Sequence, residues 1–323
     1  MPVGGGALEL PDLAGIRDAH RRIAPYVHRT PVLTCQAIDD EVGASLFFKC
    51  EHLQKVGAFK ARGACNAVFS LGDALARRGV VTHSSGNHGA AVAYAARRRG
   101  IPAFVVMPEN APAVKQANVR RFGATVRLCA ATVAAREAAC DELALDTGAT
   151  LVHPFDDSRV IAGQGTAAVE LLDAVGALDA IIAPCGGGGL LSGTAIAATS
   201  LCPGIRVLGA EPANADDAAR SFASGTLQPL PATTTIADGL RTTLSPRTLG
   251  ALRAHVGGFG TCSEAGILRA MRMIFERMKQ VVEPSSAVPL ACVMESSLDV
   301  AGKRVGVILT GGNVDLDRLR WNP

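Results

Sequence analysis

From residue 78 onward the chain alternates short apolar runs with longer stretches of helical spacing. The runs are Val80 to Thr82, Ala103 to Met107, Thr125 to Cys129, Thr150 to His153, Ala180 to Pro184 and Arg206 to Ala210. Strands that point the same way need a crossover connection rather than a tight turn, so this alternation predicts an α/β fold of open parallel sheets. Leu46 to Phe48 and Arg304 to Leu309 read as further strands. Between the runs, Val92, Ala95 and Ala96 form one apolar helical face. Arg97, Arg98 and Arg99 follow as a solvated last turn whose charge opposes the helix dipole. The 323 residues amount to about two domain-equivalents, without a repeat or a long linker. The expectation is two interwoven lobes, the small one over roughly residues 50–150 and the large one over the remainder.

Composition removes several classes of function. Charged residues are only 19% and the hydrophobic set is 48%, the balance of a globular chain with much buried surface. A net charge of +3 with 4% aromatic residues offers neither a basic groove nor stacking platforms, which argues against a nucleic acid partner. The 9 cysteines lack the short spacing of a zinc knuckle and read as reduced thiols of a cytoplasmic protein. Glu9 and Asp12 precede the first cation, Arg17, so no signal peptide is expected. The uncharged stretch from Ala180 to Ile205 is long enough to span a bilayer, but Pro184 and Gly186 to Gly189 interrupt it. It reads as a strand, a glycine loop and a helix, with no membrane partner.

Ligands of open parallel sheets collect at the carboxyl ends of the strands, so the residues after each run carry the chemistry. Lys60 follows strand Leu46 to Phe48 near the start of a helical pattern. Taken alone it is a surface cation. A helix N-terminus and the neighbouring Arg62 would nevertheless ease loss of its proton, and a neutral amine is what a Schiff base requires. After Val80 to Thr82 comes His83-Ser84-Ser85-Gly86-Asn87-His88-Gly89, either an N-cap with Ser84 or Ser85 as the cap or a receptor for a carboxylate. Gly186 to Gly189, opening a helix, suits one isolated phosphate. No Lys-Ser or Lys-Thr follows as in a P-loop, and the third glycine of a dinucleotide fingerprint is missing. Thr310-Gly311-Gly312-Asn313 ends the last strand and by itself is only a turn.

In combination these elements resemble the fold-type II pyridoxal phosphate enzymes, of tryptophan synthase β-like architecture, and within them the serine/threonine dehydratase and serine racemase branch. Six motifs carry the resemblance, in the family's order. They are Phe59 to Gly63, Ser84 to Gly89, Ile161 to Thr166, Gly186 to Gly189, Glu211-Pro212 with Asn214 to Asp217, and Thr310 to Asn313. The resemblance implies that Lys60 carries pyridoxal 5'-phosphate as a Schiff base, that Phe59 and Gly239 flank its ring, and that Asn87 bonds its phenolic oxygen. Gly186, Gly187, Gly188 and Gly189 would hold the phosphate, and the neutral hydroxyl of Thr310 would face the ring nitrogen. Ser84, Ser85, Asn87 and His88 would meet the substrate, with Ser85 as a second acid/base on the face opposite Lys60. A structural Mg²⁺ or Ca²⁺ is implied at the Glu211 carboxylate, the Ala215 carbonyl and the Asp217 carboxylate. On residues alone, the acidic start of a helix explains that cluster equally well.

The activity implied is that of an ammonia-lyase converting serine or threonine to a 2-oxo acid and ammonia, in a homodimer. Serine racemase and threo-3-hydroxyaspartate dehydratase are the alternatives, and Arg136 is the candidate cation for the extra carboxylate of hydroxyaspartate. A non-catalytic carrier of the cofactor is disfavoured because Lys60 and Ser85 are both present. Phe155 looks like the dehydratases, where animal racemases carry Asn, and Ala90 replaces a Gln, which argues against nucleotide activation. Ser286 stands where Gly is usual. The chain ends soon after Asn313, so residues 1–323 are expected to form one catalytic unit without a C-terminal regulatory domain.

Overall fold

The computed structural model describes residues 9–315 except Ser85, Pro112 and Pro231, and without the side chains of residues 113–115 and 133. Two sheets organise the described residues. The first contains β1 (Val32–Leu33), β2 (Ser45–Cys50), β7 (Ala180–Pro184), β8 (Arg206–Pro212), β9 (Gly258–Cys262) and β10 (Arg304–Leu309). Their spatial order is β1-β2-β10-β7-β8-β9, and only β1 runs antiparallel to its neighbour. The second contains β3 (Val80–His83), β4 (Ala103–Pro108), β5 (Thr125–Cys129) and β6 (Thr150–Leu151) in the order β5-β4-β3-β6, all parallel. Parallel sheets are covered by helices on both faces, so their strands are apolar throughout. Val80, Val81, Val105 and Val106 are buried accordingly, as are Ile181, Ile182, Val305 and Val307.

The expected β6 is shorter than the run Thr150 to His153. Pro154 has no N–H to give a ladder, and the His153 ring instead accepts the backbone N–H of Phe155 and Asp156, turning the chain out of the sheet. The arginine cluster after the Asn87–Arg99 helix is only partly a solvated end. Arg97 and Arg98 are exposed, but Arg99 folds back to donate to the carbonyls of Val68 and Leu71 at the end of the Lys60–Phe69 helix. The stretch after Ala180 is a strand, a glycine loop and the helix Gly189–Leu201, and no described helix is long and apolar enough to cross a membrane.

Two features fix the Lys60–Phe69 helix. It lies so close to the helix Ser158–Val175 that a Cβ on Gly163 would stand 2.6 Å from the Arg62 carbonyl oxygen. Beneath it, the fully buried Arg62 donates to both carboxylate oxygens of Glu51 at 2.7 Å, to both of Glu170 at 2.8 and 2.7 Å, and to the Thr166 hydroxyl. Lys49, also buried, completes the balance by donating to Glu170 and to the Thr30 carbonyl. Two cations thus meet two carboxylates inside the protein, with their hydrogen-bonding capacity largely used.

Candidate active site

The expected residues converge where the carboxyl ends of the two sheets meet. Lys60 begins its helix beside Phe59, whose N–H donates to the Thr310 carbonyl, and an isolated bridge pairs Ala58 with Gly311. These contacts lock the lysine to the end of β10. Its Nζ donates to the Pro154 carbonyl at 2.7 Å. Burial lowers the amine's pKa to about 8, against the opposing pull of Glu283. The cause differs from the one expected from sequence. Arg62 exerts no such influence, because its charge is matched by Glu51 and Glu170 on the far side of the helix.

The glycine loop stands across from the lysine. Gly188, at φ 84°, adopts the left-handed conformation that lets the chain turn from β7 into the Gly189–Leu201 helix, and no side chain caps that helix. Its first N–H groups are therefore left for an anion. Phe155 packs on Gly187 and Gly189, and Gly186 lies against Gly239, whose N–H donates to the Ser285 hydroxyl. Thr310 is buried, and its hydroxyl has no hydrogen-bond partner. The expectation had no role for Ser286; its hydroxyl accepts the Gly311 N–H at 3.4 Å and so braces the same turn.

The third wall is the segment after β3. Gly86 rather than a serine is the N-cap of the Asn87–Arg99 helix, and its N–H donates to the Ser84 hydroxyl. Ser85 lies outside the described residues. Asn87 donates to both oxygens of Glu283 at 2.9 and 3.0 Å. The role of Glu283 was missed in the sequence, where it reads only as the residue before Pro284. His88 is buried with Nε2 against the Val152 carbonyl at 3.0 Å, so the ring supports the wall as a neutral donor. His83 and His153 meet edge to face, with centroids 5.5 Å apart. Arg136, half-buried on the helix Val133–Thr147, lies near enough to His83 that its charge helps lower that imidazole's pKa, after burial.

Burial depresses all three imidazoles, that of His153 to about 4. An unfolded histidine takes its proton near pH ~6.5, so below that pH the unfolded state binds more protons and stability falls as pH falls. Thermal melts should be insensitive to these groups above about pH 7 and decline toward about pH 4. A melting temperature that stays level across that window would contradict the burial of the cluster.

A family profile described as "Pyridoxal-phosphate dependent enzyme" matches residues 23–311. The chain belongs to this family. It is 50% identical over 313 residues to the beta-hydroxyaspartate dehydratase of Paracoccus denitrificans (strain Pd 1222), covering 97% of this chain and 99% of that protein. The structure of maize serine racemase superposes with a TM-score of 0.93 at 48% identity, covering 96% of this chain and 95% of that one. A bacterial threonine deaminase, from T.th., gives 0.90 at 47%, covering 95% and 99%.

For a pyridoxal-phosphate dependent enzyme the residues fit the cofactor. A phosphate finds uncapped N–H groups after the glycine loop, the aldehyde finds a buried amine, and a ring nitrogen would give the orphaned Thr310 hydroxyl its partner. The cation implied by the resemblance has a different donor set. Among the described residues no group of three or more His, Cys, Asp or Glu could hold a metal. Glu211 and Asp217 are nevertheless both buried. Glu211 accepts the N–H groups of Ala218 and Ala219 and so caps the helix Asp217–Ser224, while both oxygens of Asp217 have no partner. Burial raises the two carboxyls, to about 9 and about 6. Two carboxylates crowded in the interior, one of them unpartnered, suit a hard cation completed by the Ala215 carbonyl.

Proposed function

We propose that this chain is an ammonia-lyase that eliminates the β-hydroxyl of serine or threonine and releases a 2-oxo acid and ammonia. The observation that carries the reading is Lys60, a buried amine lowered to about 8 that stands near a neutral hydroxyl, Thr310, instead of a carboxylate. Bound pyridoxal phosphate supplies the electron sink that makes the Cα proton acidic. Around it, Gly186 to Gly189 bind the phosphate, Phe59 and Gly239 flank the ring, and Asn87 donates to the phenolic oxygen. Lys60 Nζ takes the Cα proton, which it can do near neutral pH because burial leaves part of it uncharged. Thr310 cannot stabilise a protonated ring nitrogen as a carboxylate would. The resulting weaker sink suits a reaction in which departure of the hydroxyl disperses the charge. Ser85 is assigned to the other face, so Ser85→Ala should abolish any racemisation yet leave much of the elimination; equal loss of both would reduce Ser85 to a substrate-positioning role.

A second substrate, 3-hydroxyaspartate, is favoured by one observation. Among the described residues the Arg136 guanidinium has no hydrogen bond or ion pair, although it is half-buried beside His83. A free cation there would meet a substrate's second carboxylate. Assay of purified protein on serine, threonine and both 3-hydroxyaspartate diastereomers, with chiral product analysis, decides between them. Arg136→Met should raise KM for hydroxyaspartate and spare serine; inactivity on every one of these substrates would sink the lyase reading.

A divalent cation, Mg²⁺ or Ca²⁺, held by Glu211, Ala215 and Asp217 belongs to the proposal as a structural element, remote from the proton transfers of Lys60. Chelation should lower the melting temperature and activity together, with restoration by either ion, and Asp217→Ala should make the protein indifferent to both. Loss of turnover at constant melting temperature would instead put the ion in the chemistry. A homodimer in a reducing cytoplasm completes the reading, in keeping with nine unpaired cysteines.

A further inference from the structure

Of the Thr310 to Asn313 turn, only Thr310 has so far been given a task. Asn313 spends its amide N–H groups on two acceptors, the Val56 carbonyl at 2.7 Å and Oδ1 of Asn87 at 2.9 Å. Val56 sits at φ 58°, a left-handed conformation that a β-branched residue adopts only at a cost. That strained peptide aims its carbonyl at Asn313. On the other side of Asn87, Nδ2 faces both oxygens of Glu283. A carboxylate only accepts, so the amide of Asn87 has one tolerable orientation: Oδ1 toward Asn313 and Nδ2 toward Glu283. A single N–H shared between the two Glu283 oxygens leaves the second N–H of Nδ2 for a ligand.

We propose that Asn313 is a positioning residue that, with Glu283, locks the Asn87 amide so that an N–H donor is presented to the phenolic oxygen of the cofactor. Asn87 comes from the helix after β3, in the small sheet, while Asn313 follows β10 of the large sheet and Val56 lies between β2 and the Lys60 helix. The lock therefore ties both lobes to one hydrogen bond. It rests on the assignment of Asn87 to the phenolic oxygen.

The test uses the holoenzyme of Asn313→Ala and Asn313→Asp, each also in an Asn87→Ala background. Cofactor affinity is measured by equilibrium dialysis, and the visible band of the bound cofactor is followed against pH. Aspartate has the shape of asparagine but brings an acceptor to Oδ1, and Asn87 cannot flip without turning its own oxygen on Glu283. Asn313→Asp should thus bind the cofactor more weakly than Asn313→Ala, and the alanine variant about tenfold more weakly than the parent, the worth of one well-aligned hydrogen bond to an anionic oxygen. In both, the pH at which the band changes should rise, because an oxyanion deprived of its donor holds the neighbouring proton more tightly. In the Asn87→Ala background neither change should matter. An aspartate variant that binds as well as or better than the alanine variant, an unmoved band, or a full effect without Asn87 would each overturn the lock. A parent protein that binds no cofactor would instead fail the proposed function.

Discussion

Lys60→Ala should reduce turnover of any β-hydroxy amino acid by roughly 10³-fold or more, since it removes both the covalent anchor and the base that moves the Cα proton. The fold should not suffer. The Nζ makes one hydrogen bond, to the Pro154 carbonyl, and its burial already disfavours the charged form. The melting temperature is therefore expected to stay level or rise when the amine is deleted. Single-turnover and steady-state assays on the variant check the first expectation and calorimetry the second. A variant within tenfold of the parent would show that another residue does the chemistry.

Arg62→Met should have the largest effect on stability. It leaves Glu51 and Glu170, both buried, facing each other with only Lys49 between them. Breaking one partner of a buried ionic cluster costs about 3 to 5 kcal/mol, because the stranded charge is neither solvated nor paired. Urea unfolding of the parent and the variant measures this. Adding Glu51→Gln and Glu170→Gln should recover part of the loss, as each removes an unpaired charge. Because Arg62 anchors the helix that begins at Lys60, activity should fall with stability and return with it. A loss below about 1 kcal/mol would mean that water reaches the cluster, and that the helix is held by its apolar contacts alone.

The strands that alternate with helices were legible because parallel strands are apolar on both faces, as Ala180–Pro184 and Arg304–Leu309 show. β9, Gly258–Cys262, was not, since two of its five residues are glycines and its neighbours supply the apolar surface. β1 is two residues long and exists by pairing with β2. Arg62 illustrates a different limit. Its nearness to Lys60 in sequence suggested an electrostatic effect on the amine, but successive residues of a helix point about 100° apart, and Arg62, two positions on, faces the buried carboxylates. Glu283 and Asn313 were hidden for a related reason. Each acts on Asn87 from more than 190 positions away, and only the folded chain brings them together. The Asp217 carboxylate, by contrast, stood out in the sequence, and its lack of a partner is what a site awaiting a cation looks like.

The most direct test of the site is chemical. The purified protein should be yellow, and borohydride should bleach it by fixing the cofactor to one lysine. Peptide mapping by mass spectrometry is expected to find the reduced adduct on Lys60 alone; an adduct on any other lysine, or none on a protein that remains active, would contradict the assignment of the whole site.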